Sequence, residues 1–293
     1  MAASAKSGRA RTARPVPTLD MERAFVDEGF DVVVGFDEVG RGSLAGPAMV
    51  GCAALWAGRF ADVTVPHHLA DSKMLTEHRR EAMFEPLKAW TDAWAVGSAS
   101  PQEIDEWGIT YALGVAALRA LEQVERSLGL GAAADGCSPV DGAPDDRAAI
   151  GDGVHGDGAP GGMVAGTARG DANAYAAPGI AGSRSRAIRV GAILDGPSDY
   201  ITKALGTFDA PDVPAAPVVR TRVKGDQHCA SVAAAAVIAK VTRDRMMTAL
   251  AAQHPEWDAY GWAANKGYGS AAHRAAIKEL GTTPWHRLSW HLA

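Results

Sequence analysis

The sequence has few cysteines and no apolar run of membrane length. Cys52, Cys137 and Cys229 are odd in number, widely spaced and outside any C-x-x-C pattern. That argues against both a disulfide framework and a cysteine-bound zinc. No apolar stretch approaches the roughly 18–20 residues of a membrane span. The first residues are polar and Arg-containing, without the apolar segment of a secretory signal. A reducing, cytoplasmic setting is expected. There is no G-x-S-x-G elbow, and none of the nine histidines falls in an H-E-x-x-H pattern. A hydrolase serine and a zinc-protease site therefore lack sequence support. Bulk positive charge is also missing, because 29 Lys and Arg against 34 Asp and Glu leave a net charge of −5. That argues against attachment to nucleic acid by overall charge alone and leaves room for a local basic face.

What is present is enough for a core. The 293 residues are 47% hydrophobic and 22% charged, the size of one large domain or two small ones. Residues 1–16 read as a flexible basic tail carrying Lys6, Arg9, Arg11 and Arg14. Thr18 is the expected N-cap of a short helix holding Glu22 and Phe25. Asp31–Phe36 and Ala48–Leu55 read as buried strands. Helices are expected over 76–90, capped by Thr76, and over 109–128. Ile188–Leu194 and Val218–Val223 read as further strands, and 231–252 as a long Ala-rich helix. A turn-rich segment over 258–268 and a short helix over 270–280 follow. Strands alternating with helices give an α/β core, followed by a helical C-terminal part over 253–293.

Residues 129–186 break the pattern. They hold 14 of the 33 glycines, no Leu beyond Leu130 and none of the eight Trp. So few large apolar groups cannot offset the ordering entropy of the segment, so a disordered insertion is expected there. The core is then divided into 17–128 and 187–252.

Carboxylates recur at the ends of the apolar strands. Asp37 and Glu38 end the first, Asp195 ends the Ile188–Leu194 strand, and Asp226 sits in Lys224-Gly-Asp226 before the long helix. Such groups can face one cleft, where they repel one another unless a cation lies among them. Hard oxygen ligands select Mg²⁺ or Mn²⁺. Two such ions roughly 4 Å apart serve phosphodiester hydrolysis. Taken singly, Asp195-Gly196 is an ordinary turn and Asp226 an ordinary cap. Asp37 and Glu38 face opposite sides of a regular strand and can share a cleft only if the backbone twists at the glycines that follow. Gly40-Arg-Gly42-Ser-Leu-Ala45 fits a dinucleotide fingerprint formally, but Gly46-Pro47 leads into a strand rather than a helix, which disfavours a nucleotide cofactor. From Ala216 to Ala293 ten Lys and Arg face five acids, a local balance of +5 suited to phosphates, although solvated helix charges account for about half of them.

Several ordered blocks resemble type 2 ribonuclease H (ribonuclease HII). They are Gly35-Phe-Asp37-Glu38-Val-Gly40-Arg41-Gly42-Ser-Leu-Ala-Gly46-Pro47, Leu69-Ala-Asp71-Ser72-Lys73-Met-Leu75, Leu194-Asp195-Gly196, Val223-Lys224-Gly-Asp226 continuing through Ser231 to Arg245, and Asn265-Lys266-Gly267-Tyr268 through His273. The tail Thr283-Pro284-Trp-His286-Arg287 also fits. The resemblance spans about 17–128 and 187–293. It implies an RNase H-like mixed sheet flanked by helices, with a small helical C-terminal part that binds substrate. It implies Mg²⁺- or Mn²⁺-dependent endonucleolytic cleavage of the RNA strand in RNA–DNA hybrids, leaving 5′-phosphate and 3′-hydroxyl ends. It also implies incision beside single ribonucleotides in duplex DNA, with roles in ribonucleotide excision repair and primer removal. The implied metal carboxylates are Asp37, Glu38, Asp195 and Asp226. Gly40, Arg41 and Gly42 would read the ribose 2′-hydroxyl, Tyr268 would meet the sugar at the junction, and Ser72, Lys73 and Lys224 would contact phosphates. The expected partners are RNA–DNA hybrid and ribonucleotide-containing duplex DNA, bound by a monomer.

Ser43 stands where the family commonly has proline, and Ala236 where it has a small hydroxyl residue. The stretch between Asp195 and Asp226 is about a dozen residues longer than usual. The sister type, ribonuclease HIII, typically carries a sizeable N-terminal domain, and only about 30 residues precede the first strand here. A catalytically dead hybrid-binding module would lack carboxylates that this sequence keeps. Asp244 is expected to pair with nearby arginines at helical spacing.

Overall fold

The computed structural model describes residues 16–69, 72, 75–131, 164–167 (backbone only) and 186–292. In chain order the elements are α1 (Asp20–Asp27), β1 (Val32–Val39), β2 (Ala48–Trp56), α2 (Glu77–Trp90), β3 (Ala93–Ala99), α3 (Pro101–Trp107) and α4 (Ile109–Ser127). Then come β4 (Val164–Thr167), β5 (Val190–Asp195), α5 (Ile201–Ala204), β6 (Val218–Arg222), α6 (Gly225–His228) and α7 (Ala230–Gln253). A 3₁₀ turn at Pro255–Tyr260, α8 (Trp262–Asn265), α9 (Ala271–Leu280) and a last 3₁₀ turn at Leu288–Trp290 follow.

The strands form one mixed six-stranded sheet in the order β4-β3-β2-β1-β5-β6. β1 runs antiparallel to β2 and parallel to β5, with Phe36 opposite Leu194. Asp37 and Asp195 are therefore the next residues on two neighbouring strands. One face of the sheet packs on α7, where Val33 and Ile193 meet Val232, Val237 and Ile238. The other face packs on α4, where Val34, Phe36 and Val50 meet Leu113, Leu118 and Leu121. Close approach of α7 to β1 depends on Gly35, where a Cβ would run into the backbone of Ser231 and Val232. A third cluster, with Leu44, Met247, Tyr260, Trp262 and Ile277, fixes the C-terminal part to the end of α7.

Several expectations change in detail. Thr18 does not cap α1, whose N-cap is Leu19 without a side-chain bond; Thr18 Oγ1 accepts from Asp20 N at 3.3 Å instead. Thr76 does cap α2, accepting from Arg79 N at 3.3 Å. Asp244 bonds Lys240 at 2.7 Å rather than an arginine, because Arg243, one position away on the helix, turns inward to the core. The insertion contributes one edge strand, β4, paired antiparallel to β3 and separated from β1 by β3 and β2. The remainder of the expected disordered segment, 132–163 and 168–185, lies outside the described residues, as do residues 1–15 of the expected tail.

Candidate active site

The alternation of β1 sorts its two carboxylates. Asp37 falls on the face shared with Val33, against α7, and Glu38 on the face shared with Val34 and Phe36. Asp195 has the parity of Ile193 on β5 and so shares the face of Asp37. Asp226 comes from α6, which the left-handed Lys224 (φ 59°) turns back beneath the end of β5. Ligand oxygens of Asp37, Asp195 and Asp226 converge to within 4.8 Å of one another.

Backbone donors hold the cluster. Glu38 N–H donates to Asp37 Oδ1 at 2.9 Å, and Gly225 N–H to Asp195 Oδ1 at 2.6 Å. Asp37 and Asp226 are each only 3% exposed. Buried carboxylates this close repel one another strongly unless a cation or proton intervenes. Three hard oxygen donors therefore fit a divalent ion such as Mg²⁺ or Mn²⁺.

Glu38 lies outside that group of three. Its Oε2 accepts from the Tyr200 hydroxyl at 3.1 Å, and its Oε1 from Arg41 at 3.2 Å. Burial, followed by the charges of Glu38 and Asp37, pushes the Tyr200 phenol well above its ordinary value, so it remains a donor. Nothing in Asp199-Tyr200 marks this role in the sequence.

The Gly40–Gly42 loop leaves the same strand end. Gly40 has φ 78°, and a Cβ there would strike the Arg243 side chain. Gly40 N–H donates to the Tyr268 hydroxyl at 3.1 Å, which joins two elements singled out separately in the sequence. Arg41 and Gly42 are exposed, and the space beside Gly42 is open. Two isolated bridges, Ser43 with Tyr268 and Ala45 with His286, clamp the loop to the C-terminal part.

Tyr268 rests on a buried imidazole pair. Thr283 N–H donates to His286 Nδ1 at 2.9 Å, so that nitrogen carries no proton. Trp262 Nε1–H donates to His273 Nε2 at 3.1 Å, and that nitrogen lies 3.1 Å from His286 Nε2. The consistent assignment has His286 Nε2–H donating to His273, and His273 Nδ1–H donating to the Tyr268 carbonyl at 3.0 Å. Burial lowers both imidazoles and pulls His286 down to about 4, with His273 beside it adding to the effect.

The basic face is smaller than the sequence count. Arg243 and Arg287 are fully buried, Arg220 pairs with Glu28, and Arg245 pairs with Glu81. Lys224 and Arg222 remain exposed near Asp226. Ser72 is buried and gives its carbonyl to Arg80, while Lys73 lies outside the described residues. Among the described residues, no helix is long and apolar enough to cross a membrane.

Comparison with known proteins places the chain in a family. A family model described as Ribonuclease HII matches residues 34–127 and 206–293. The chain is 38% identical over 275 residues to a ribonuclease HII of Streptomyces avermitilis, covering 94% of this chain and 83% of that protein. It is 35% identical over 274 residues to one of Paracoccus denitrificans, covering 94% and 91%. In fold it is similar to the ribonuclease H2 of Pyrococcus horikoshii, with TM-score 0.52 and 21% identity over 89% of this chain and 95% of that one. A Bst-RNase HIII in complex with Mn²⁺ is similar at TM-score 0.52 and 17% identity, over 88% of this chain and 66% of that one. The family match takes in the positions of Asp37 and Asp226, and Asp195 lies between its two matched stretches. The chain belongs to the ribonuclease HII family of hydrolytic endonucleases.

Proposed function

We propose that the protein cleaves the RNA strand of RNA–DNA hybrids and nicks duplex DNA beside single embedded ribonucleotides, leaving 5′-phosphate and 3′-hydroxyl ends. The observation that carries this reading is the convergence of three carboxylates within 4.8 Å, next to a loop whose exposed turn leaves room for a sugar. Asp37, Asp195 and Asp226 would hold Mg²⁺ or Mn²⁺, with Glu38 as a fourth carboxylate at the strand end. When bound, the ions supply water activation and stabilisation of the leaving oxygen.

The chain's own groups do the rest. Gly225 and Glu38 N–H groups fix the carboxylates so that little reorganisation is needed. Arg41 and Gly42 offer backbone groups to the 2′-hydroxyl, the atom that distinguishes RNA from DNA at one nucleotide, while Gly40, bonded to Tyr268, Arg287 and Ser43, sets the turn that exposes them. Tyr268 presents a flat face to the neighbouring sugar. The exposed Lys224 and, from the sequence, Lys73 are assigned to phosphates, whereas the burial of Ser72 leaves it no phosphate to touch. Ribonucleotide excision and primer removal are the processes such a cut would serve.

The test is cleavage, with and without Mg²⁺, of two substrates: a continuous RNA–DNA hybrid and a DNA duplex holding one ribonucleotide. The expected result is metal-dependent cutting of both, with 5′-phosphate products and the second cut beside the ribonucleotide. Cutting of the hybrid alone would contradict the single-ribonucleotide reading. No cutting of either would contradict the function.

A further inference from the structure

The loop that carries Gly40-Arg41-Gly42 is backed by two buried guanidiniums. Arg243 and Arg287 are both fully buried, and among the described residues their hydrogen bonds go to uncharged oxygens. Arg287 takes Gly40 O at 2.6 Å, Arg41 O at 2.8 Å and Gly46 O at 3.1 Å. Arg243 takes Pro47 O at 2.9 Å, Ala45 O at 3.2 Å and Lys266 O at 2.9 Å. Both reach the Ser43 hydroxyl, at 2.7 Å from Arg243 and 3.0 Å from Arg287, and Ser43 Oγ donates to Gly40 O at 2.8 Å.

The consequence follows from peptide geometry. A trans peptide is planar, so a carbonyl pointing one way sends the next residue's N–H the other way. Arg287 draws the Gly40 and Arg41 carbonyls inward, so the N–H groups of Arg41 and Gly42 point outward. Neither N–H has an acceptor among the described residues. Two adjacent outward donors at an exposed turn form a receptor for a hydroxyl or phosphate oxygen. Burying two like charges side by side is costly, and burial together with the Arg243 charge pulls Arg287 down to about 9. At neutral pH it still keeps its proton and all its donors.

We propose that Arg287 is a positioning residue for ribose discrimination: from inside the protein, with Arg243 and Ser43, it aims the Arg41 and Gly42 N–H groups at the ribose 2′-hydroxyl. This rests on the ribonucleotide reading given above. Ser43 ties the bracket together, since its hydroxyl bonds both guanidiniums and the Gly40 carbonyl.

The experiment measures binding in Ca²⁺ to two duplexes that differ by a single 2′-hydroxyl. Wild type, Ser43→Ala and Arg287→Lys are compared, and folding of each at the assay temperature is checked by circular dichroism. Wild type should prefer the ribonucleotide duplex. Both variants should lose about fivefold or more of that preference, the worth of one hydrogen bond, while affinity for the all-DNA duplex changes little. A purely structural role would lower the melting temperature and leave the preference intact, and that result overturns the proposal. If Arg287→Lys does not fold, Ser43→Ala decides alone. A wild-type protein without any preference would instead refute the ribose-reading function on which the proposal stands.

Discussion

The two halves of the candidate site are built by opposite means. The acidic half is local to the sheet: Asp37 and Asp195 follow a paired register on neighbouring parallel strands, and Asp226 enters from the turn after β6. The loop half is held from far along the chain, by Arg243, Tyr268, His273, His286 and Arg287, about 200–250 residues from Gly40. The acidic half concentrates charge that a metal must relieve. The loop half hides positive charge and neutral imidazoles to shape a backbone. On the function proposed above, the difference teaches that chemistry and selectivity can be separated by substitution, although both halves start from the end of β1.

The largest effect should come from the acidic half. Asp37→Asn or Asp195→Asn should cut Mg²⁺-dependent turnover by about a thousandfold or more, because a lost ligand misplaces the ion. The melting temperature should hold or rise, since a repulsive charge is removed. Unchanged turnover in both variants would break the comparison at its strongest point.

Next in size is a pH effect confined to the loop half. His286 sits at about 4 in the fold, while an unfolded imidazole titrates near 6.5. As pH falls from about 6.5 to about 4, the unfolded chain takes up a proton that the native state refuses. Stability is therefore full above that window and is lost as pH falls through it, by roughly 3 kcal/mol. His286→Asn should flatten the slope of melting temperature against pH in this range.

Glu125, outside both halves, gives the opposite sign and so a control. Burial pushes it up to about 7, although Ala215 N–H donates to it at 3.0 Å. The native state holds the proton more tightly than the unfolded chain, so stability is full below about 4.5 and is lost as pH rises through about 7. Glu125→Gln should raise stability at pH 8 by roughly 2 kcal/mol and do little at pH 5. The smallest change in stability belongs to Gly42→Ala, within about 0.5 kcal/mol, because a Cβ there meets nothing. Its KM for ribonucleotide substrates should nevertheless rise several-fold, because the added methyl fills the open space that the proposed function gives to the sugar.

The acidic half was legible because its signal is short-range. Apolar β-branched runs that stop at Asp or Glu reveal both the strand and its end, as at Asp37 and Asp195. The loop half was only partly legible. Gly40, Arg41, Gly42 and Tyr268 could be singled out, but Arg243 and Arg287 counted as surface charge, because a sequence shows a residue's charge and not its burial. For the same reason helical spacing alone points Asp244 to an arginine, where the fold pairs it with Lys240. β3 went unread since Ala93–Ala99 has one β-branched residue; it is a strand because β2 pairs with it and because Gly97 lets α4 sit against it. The capping box at Ser100 and Glu103, a readable signal, marks the start of α3 just beyond it.

Direct ion binding tests the central claim. Mn²⁺ titration followed by electron paramagnetic resonance should show bound ion in the wild-type protein and marked loss in Asp37→Asn and Asp195→Asn. Mn²⁺ bound equally by wild type and both variants would contradict the assignment of the three carboxylates as the metal site.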